Sequence, residues 1–302
     1  SANLDMSLTI GRTPTLRKKP SYIRQEMSDE QKRELDHTLI TANHILHHHG
    51  VLDAFGHVSA RHPTKPDMYI MARESPPALV ESSEDLLEYW ILDSQPVKET
   101  DHVGYKERFI HGEIYKRFHE VQCVIHSHDD NVMPFATSGV PFMPVFHMAG
   151  FLGKLAGDYS GMDLSINSLT GQNVPVFDIV PYYEEGDAQD MLVSNPRLGG
   201  ALAEEFSGRS GGPDYTVVLM RRHGFTTIGL SIPMAVYRAI YTSKNAAAQF
   251  KSIVLRDAFA SRPSSDRYKF DPNPVTAEQV EACDAAKEDT IKTRPVLSSI
   301  TR

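Results

Sequence analysis

Cysteine is almost missing from this chain of 302 residues, which holds only Cys123 and Cys283. Two thiols so far apart leave no disulfide framework and no CxxC metal motif, and they point to a reducing, cytoplasmic compartment. Positive charge is also in short supply. Lys and Arg total 31 against 39 Asp and Glu, a net charge of −8 spread along the chain. That balance excludes a large basic surface, so neither nucleic acid nor an anionic membrane is an expected partner, and a small molecule is the default ligand. No apolar run approaches the ~18 residues needed to span a bilayer, and the N-terminus lacks the apolar core of a secretory signal. The glycine pairs Gly199-Gly200 and Gly211-Gly212 do not make GxGxxG after a strand, which leaves a dinucleotide site unsupported. No internal repeat occurs.

What is present is an ordinary globular composition, 40% hydrophobic and 23% charged, enough to bury a core. Residues 1–27 carry scattered Lys and Arg with no apolar period and read as a flexible basic arm. From Ser28 the pattern becomes helical: SDEQ supplies an N-cap and a capping-box Gln31, Leu35, Leu39, Ala42, Ile45 and Leu46 follow at helical spacing, and Gly50 closes the element. HVSAR, MYIMA and YWILD read as strands, with a short helix capped by Ser82 or Ser83 before the last. Phe109, Ile110, Ile114 and Phe118 make one stripe of an amphipathic helix over 105–118. VQCVIHSH is a buried strand and DDNVMPFATSG a helix whose acidic start suits its dipole. PVFDI (175–179) is a strand, 187–207 a helix, TVVLMRRHGFTTIG a strand pair turning at Gly224, and 231–258 a long helix. A single α/β domain over 28–260 follows, then a tail over 261–302 with one helix from about Thr276.

The chemistry gathers at the end of VQCVIHSH. Side chains alternate faces along a strand, so His126 and His128 point the same way and could pinch a metal ion. A polar pair at a strand end is the plainer alternative. His223, between the strand TVVLM and Gly224, is placed to be a third ligand. Glu107, four residues before His111 on the preceding helix, is the carboxylate that could complete a divalent site with an open position.

GHVSAR (56–61), ERFIHGEIY (107–115), VIHSH (124–128) and RRHGFTTIG (221–229), in that order, resemble the class II aldolase/adducin family over about residues 30–255. The resemblance implies a single α/β/α domain, its central mixed or antiparallel sheet flanked by helices. It implies His126, His128 and His223 as ligands of a divalent metal, zinc above all with Fe2+ or Mn2+ as alternatives. It implies Glu107 as acid/base group or fourth ligand, and a homo-oligomer, tetramer favoured, with sites at subunit boundaries. The chain departs from the sugar-phosphate members, which have GNxS at 56–59 and paired serines before the Glu. Where those enzymes hold a phosphate, this chain offers His57, Arg61, Arg73, Tyr105, Lys106 and, further on, His147. Guanidinium and imidazole beside a metal suit a carboxylate, and the GHVSAR and HMAGFLG variants are similar to a subgroup containing dihydroxyphthalate decarboxylases.

The expected function is therefore a metal-dependent carbon–carbon lyase, decarboxylase or aldolase, acting on a small carboxylated hydroxy or keto substrate, aromatic ones included. Two alternatives stand beside it: a non-heme iron oxygenase on the same fold, and a non-catalytic adducin-like scaffold. His57 stands evenly between functional and structural roles, His111 could orient Glu107, and His147 reads more simply as a core histidine among apolar neighbours. Cys123 reads as a small buried apolar side chain.

Overall fold

The computed structural model describes residues 26–102, 104–152, 174–207 and 212–260, together with Glu278, Gln279, Ala282 and Cys283. Most of the expected arm and tail lies outside these residues. The last four are helical, within the stretch where the final helix is expected.

Helix α1 (Asp29–His48) starts on a reciprocal cap: Gln31 N–H donates to Ser28 Oγ at 3.2 Å, and Ser28 N–H donates to Gln31 Oε1 at 3.0 Å. Two backbone donors that a helix start leaves without partners are thereby satisfied. At the other end Gly50 takes φ +69°, a left-handed conformation open to glycine, and the chain turns toward the sheet. Strands β1 (His57–Arg61), β2 (Met68–Ala72) and β3 (Leu86–Trp90) follow. After helix α2 (Arg108–Arg117) come β4 (Cys123–Ser127), helix α3 (Met133–Ser138) and β5 (Val176–Phe177). Helix α4 (Pro196–Glu204), the pair β6 (Val217–Met220) and β7 (Gly224–Gly229), and helix α5 (Ile232–Ala260) complete the order.

The strands form one seven-stranded sheet in the order β3-β2-β1-β4-β7-β6-β5. Every pairing is antiparallel except β5 with β6, so the sheet is mixed, as expected. Alternation sorts the side chains onto two cores. Val58, Ala60, Cys123 and Ile125 pack with α1, α3 and α5 on one face, whereas Val124, Val218 and Ile228 pack with α2 and α4 on the other. This is a three-layer α/β/α arrangement in which parity places His57, Ser59 and His126 on the α2/α4 face. Cys123 is fully buried, and burial pushes its thiol well above the usual range, in keeping with an inert apolar role.

Several boundaries differ from the sequence expectation, one through a backbone turn and three because a side chain captures backbone groups. Strand β3 is LLEYW and stops at Trp90, because Ser94 N–H bonds the Trp90 carbonyl at 2.8 Å and turns the chain over ILD. Asp129 Oδ1 accepts from Asn131 and Val132 N–H, so the two aspartates form a turn and α3 begins only at Met133. In PVFDI only Val176 and Phe177 pair with β6, since Asp178 Oδ1 accepts from Val180 N–H and opens a turn. The stretch 187–195 is not helical. Asn195 Oδ1 accepts from Leu198 N–H at 3.0 Å and Pro196 opens α4, an N-cap followed by proline.

Candidate metal centre

Register brings the histidines together. His57 of β1 pairs with His126 of β4, which in turn pairs with Thr226 of β7, forming a row across three strands. His128 lies just beyond the end of β4, and His223 is the last residue of the turn between β6 and β7. That turn is forced against β4 by Gly224: a Cβ there would meet Ser127 O at 2.0 Å and His128 Cα at 3.0 Å. Arg222 adopts φ +59° to complete it, an uncommon conformation for a side-chain-bearing residue.

His126 Nε2 and His128 Nε2 lie 3.0 Å apart, and His128 Nε2 and His223 Nε2 3.2 Å. Glu107, at the N-cap of α2, aims Oε2 at the same point, 3.5 Å from His126 Nε2 and 3.4 Å from His223 Nε2. All four donor atoms lie within 4.8 Å of one another. A tetrahedral ion with ligand bonds of about 2.0–2.1 Å would have donor-to-donor edges of roughly 3.3–3.4 Å. The four measured separations bracket that value, so the donor set fits a divalent cation. Burial, reinforced by the neighbouring imidazoles, holds His126 well below the usual histidine range, in the neutral form a ligand requires. The cluster is buried at Glu107 and His126 and partly accessible at His128 and His223, which leaves an approach for substrate.

In three of the four side chains the opposite atom is held as well. His128 Nδ1 lies 3.2 Å from Asp53 Oδ2, and His126 Nδ1 lies 3.3 Å from Thr226 Oγ1. Glu107 Oε1 accepts from Val193 N–H at 2.9 Å. Burial tends to raise the Asp53 carboxyl, but N–H groups of Phe55 and Gly56 and the His128 ring outweigh it and hold the group below its ordinary value. Such outer contacts fix ring orientation and tautomer at metal-binding histidines. Asp53, Thr226 and Val193 were not among the sequence candidates. Only Asp53 left a local trace, in the DAFG turn before GHVSAR.

The remaining candidates divide. His57 lies beside the donor cluster and His111 behind it: His111 Nε2 lies 2.7 Å from His57 Nδ1, and the His57 ring is 5.1 Å from that of His126, centroid to centroid. The Tyr105 ring lies tilted against that of His57, centroids 4.7 Å apart, although its hydroxyl donates to the Ser75 carbonyl. Arg61 is corrected from substrate contact to structural support. It is buried, and its guanidinium donates to the carbonyls of Val121, Pro66, Tyr115 and Phe118, which ties β1 to α2. Arg73 is likewise committed, with Nε and Nη2 on Asp85 Oδ1 at 3.0 and 2.7 Å. Lys106 is exposed in the turn before α2, outside the donor cluster. His147 is exposed in a short 3-10 turn, with its ring against Phe146, so the expectation of a core histidine is overturned as well.

A mixed α/β/α sheet ending in three imidazoles and a carboxylate at ligand spacing, taken with the family and the decarboxylase relative given next, makes this a lyase of the aldolase/decarboxylase type whose donors could hold a divalent metal. The chain belongs to the class II aldolase and adducin N-terminal domain family, whose model matches residues 37–250. It is 46% identical over 225 residues to "Decarboxylase tropJ" of Talaromyces stipitatus, covering 74% of this chain and 78% of that one. Solved structures share the fold. L-fuculose 1-phosphate aldolase from Glaciozyma antarctica superposes with TM-score 0.59 at 18% identity, covering 94% of this chain and 93% of that one. An aldolase II superfamily protein from Pseudomonas syringae superposes with TM-score 0.56 at 18% identity, covering 90% of each chain.

Proposed function

We propose that this chain is a divalent-metal-dependent decarboxylase of small carboxylated hydroxy or keto compounds, aromatic ones included. The observation that carries the reading is the likeness to a decarboxylase across most of both chains, in a protein whose own four donor atoms converge at ligand spacing. His126, His128 and His223 would hold the metal, zinc being best suited to three imidazoles and a carboxylate, with Fe2+ or Mn2+ accepted by the same donors. When bound, the ion supplies Lewis acidity, worth several kcal/mol of stabilisation to negative charge developing on oxygen as a carbon–carbon bond breaks.

The protein's own groups do the rest. Glu107 Oε1 is fixed by Val193 N–H, which leaves Oε2 facing the site to close the ligand set at rest or to carry a proton during turnover. His57 and Tyr105 lie ring to ring beside the donors, where an imidazole and a phenol ring suit a flat carboxylated substrate. A scaffold without catalysis has no use for four converging donors with oriented outer partners. A homo-oligomer, tetramer favoured, and a cytoplasmic setting belong to the same reading, the latter supported by the free thiols of Cys123 and Cys283.

The test is metal analysis of the purified chain followed by a screen of ortho-hydroxybenzoates and hydroxy or keto acids for carbon dioxide release. The expected result is release that chelation abolishes and zinc restores. Uptake of oxygen without release of carbon dioxide would replace the lyase by an iron oxygenase, and a chain that takes up no divalent metal would overturn both.

A further inference from the structure

Behind His57 runs a chain of buried hydrogen bonds that ends in the core. His57 Nδ1 lies 2.7 Å from His111 Nε2, His111 Nδ1 lies 2.6 Å from Ser59 Oγ, and Ser59 Oγ lies 2.8 Å from Tyr115 OH. His111, Ser59 and Tyr115 are fully buried, and His57 nearly so. A neutral imidazole has one N–H and one bare nitrogen, a serine one hydrogen and a tyrosine one, so the chain can be oriented in only two ways. In one, the Tyr115 hydroxyl donates to Ser59, Ser59 donates to His111 Nδ1, and His111 Nε2–H donates to His57 Nδ1. His57 then carries its own hydrogen on Nε2. In the other, every bond is reversed, and the Tyr115 hydrogen is left pointing away from Ser59, which is its sole hydroxyl partner among the described residues. A buried hydroxyl hydrogen without an acceptor is what folded proteins avoid.

We propose that Ser59, acting through His111 and backed by the Tyr115 hydroxyl, locks His57 as the Nε2–H tautomer, so that it meets the substrate as a hydrogen-bond donor to an anionic oxygen, carboxylate or phenolate. His57 is the substrate-contacting group in this scheme, and His111, Ser59 and Tyr115 are positioning residues. The substrate part rests on the metal cluster being the reaction site. The tautomer part does not. His111 is fully buried between His57 and Ser59, and burial lowers its pKa to about 3, consistent with a neutral ring that donates from one nitrogen and accepts at the other. Ring contacts of 4.7 Å with Tyr105 and 5.1 Å with His126 place the His57 ring at the wall of the donor cluster.

The experiment is long-range proton–nitrogen NMR on the full chain labelled with nitrogen-15 histidine, in which bare and protonated ring nitrogens are separately recognised. His57 is assigned by comparison with His57→Gln. The wild-type chain is expected to show His57 Nε2–H in about tenfold or greater excess over Nδ1–H, as an orphaned buried donor would impose. Tyr115→Phe should keep that preference, because Ser59 becomes the terminal hydroxyl and still needs His111 Nδ1 as acceptor. Ser59→Ala should weaken it, since the hydroxyl that donates to His111 Nδ1 is gone and His111 keeps only its bond with His57. A wild-type His57 protonated on Nδ1, or an even mixture, overturns the proposal, as does a preference undiminished by Ser59→Ala in a folded chain. The wild-type spectrum decides even where a variant fails to fold. The lyase reading is judged separately by carbon dioxide release, so failure of one leaves the other standing.

Discussion

Glu107 and His126 point at the same spot but answer differently to substitution. Glu107→Gln keeps the volume and one carbonyl oxygen while losing the ability to carry a proton; metal content should stay near that of the wild type and turnover should fall by roughly 10²- to 10⁴-fold. Full activity in that variant would remove Glu107 from the chemistry. His126→Ala instead deletes a ligand, and emission spectroscopy should find the metal stoichiometry reduced; an unchanged ratio would take His126 out of the site. Asp53 acts one contact further out. Its carboxylate holds His128 Nδ1 at 3.2 Å, so Asp53→Ala should weaken metal affinity by about 10- to 100-fold in a chelator competition. Acidity tests the buried imidazoles. The His111 pKa falls from 6.5 to about 3 on folding, so between those limits the unfolded chain binds the extra proton and the folded one does not. Stability is then flat above pH 6.5 and declines as pH falls toward 3, by up to about 1.4 kcal/mol per pH unit for this histidine. Urea unfolding midpoints from pH 7 to pH 4 should show the decline, and replacing His111 with a residue that does not titrate should make it shallower. At this scale alternation put His126 and His128 on one face, and the family resemblance, more than alternation, singled them out with His223 and Glu107, whose donor atoms the fold brings together. The sequence could not reveal Thr226 or Val193, whose contacts arise from cross-strand register and from the path of a loop, neither of which leaves a local pattern.

Elements were most legible where periodicity and termination signals agree. The Ser28 cap, the Gly50 stop and the apolar stripe of α1 all name the same boundaries, and the chain folds to them. Boundaries shifted where a polar side chain competes with the regular pattern, as with Asp129 turning the chain before α3 and Asn195 starting α4. The arginines show a different gap. Residue type marks Arg61 as an anion binder, but its buried position opposite the end of α2 makes it a clamp on four carbonyls instead. Gly224 carries the sharpest prediction at this level. An alanine Cβ would stand 2.0 Å from Ser127 O, so β7 must retreat from β4 and take His223 away from His128. Gly224→Ala should destabilise the fold by on the order of 2–4 kcal/mol and also release the metal. A variant that unfolds at the wild-type denaturant concentration would show that this close approach does not hold the third imidazole.

For the molecule as a whole, the three-layer arrangement accounts for burial around the sheet but, among the described residues, leaves apolar side chains on the far half of α5 exposed. Phe250, Val254 and Leu255 are 55%, 49% and 69% exposed, and their spacing places them along one side of the helix. Apolar side chains clustered on an outer helix mark association surfaces more often than solvated ones. The metal cluster is open on its His128 and His223 side as well, where a neighbouring subunit could shape the substrate space without donating a ligand. The homo-oligomer proposed above, tetramer favoured, would cover this surface. Sedimentation velocity should give a species near four times the chain mass, and Phe250→Glu with Leu255→Glu should shift it toward smaller species by placing like charges at the contact. Because all four donors come from one chain, the dissociated variant should still bind metal at the wild-type ratio. If its metal content fell with its mass, the donor set would depend on the contact between copies, and a wild-type chain that sediments as a monomer would remove association from the account altogether.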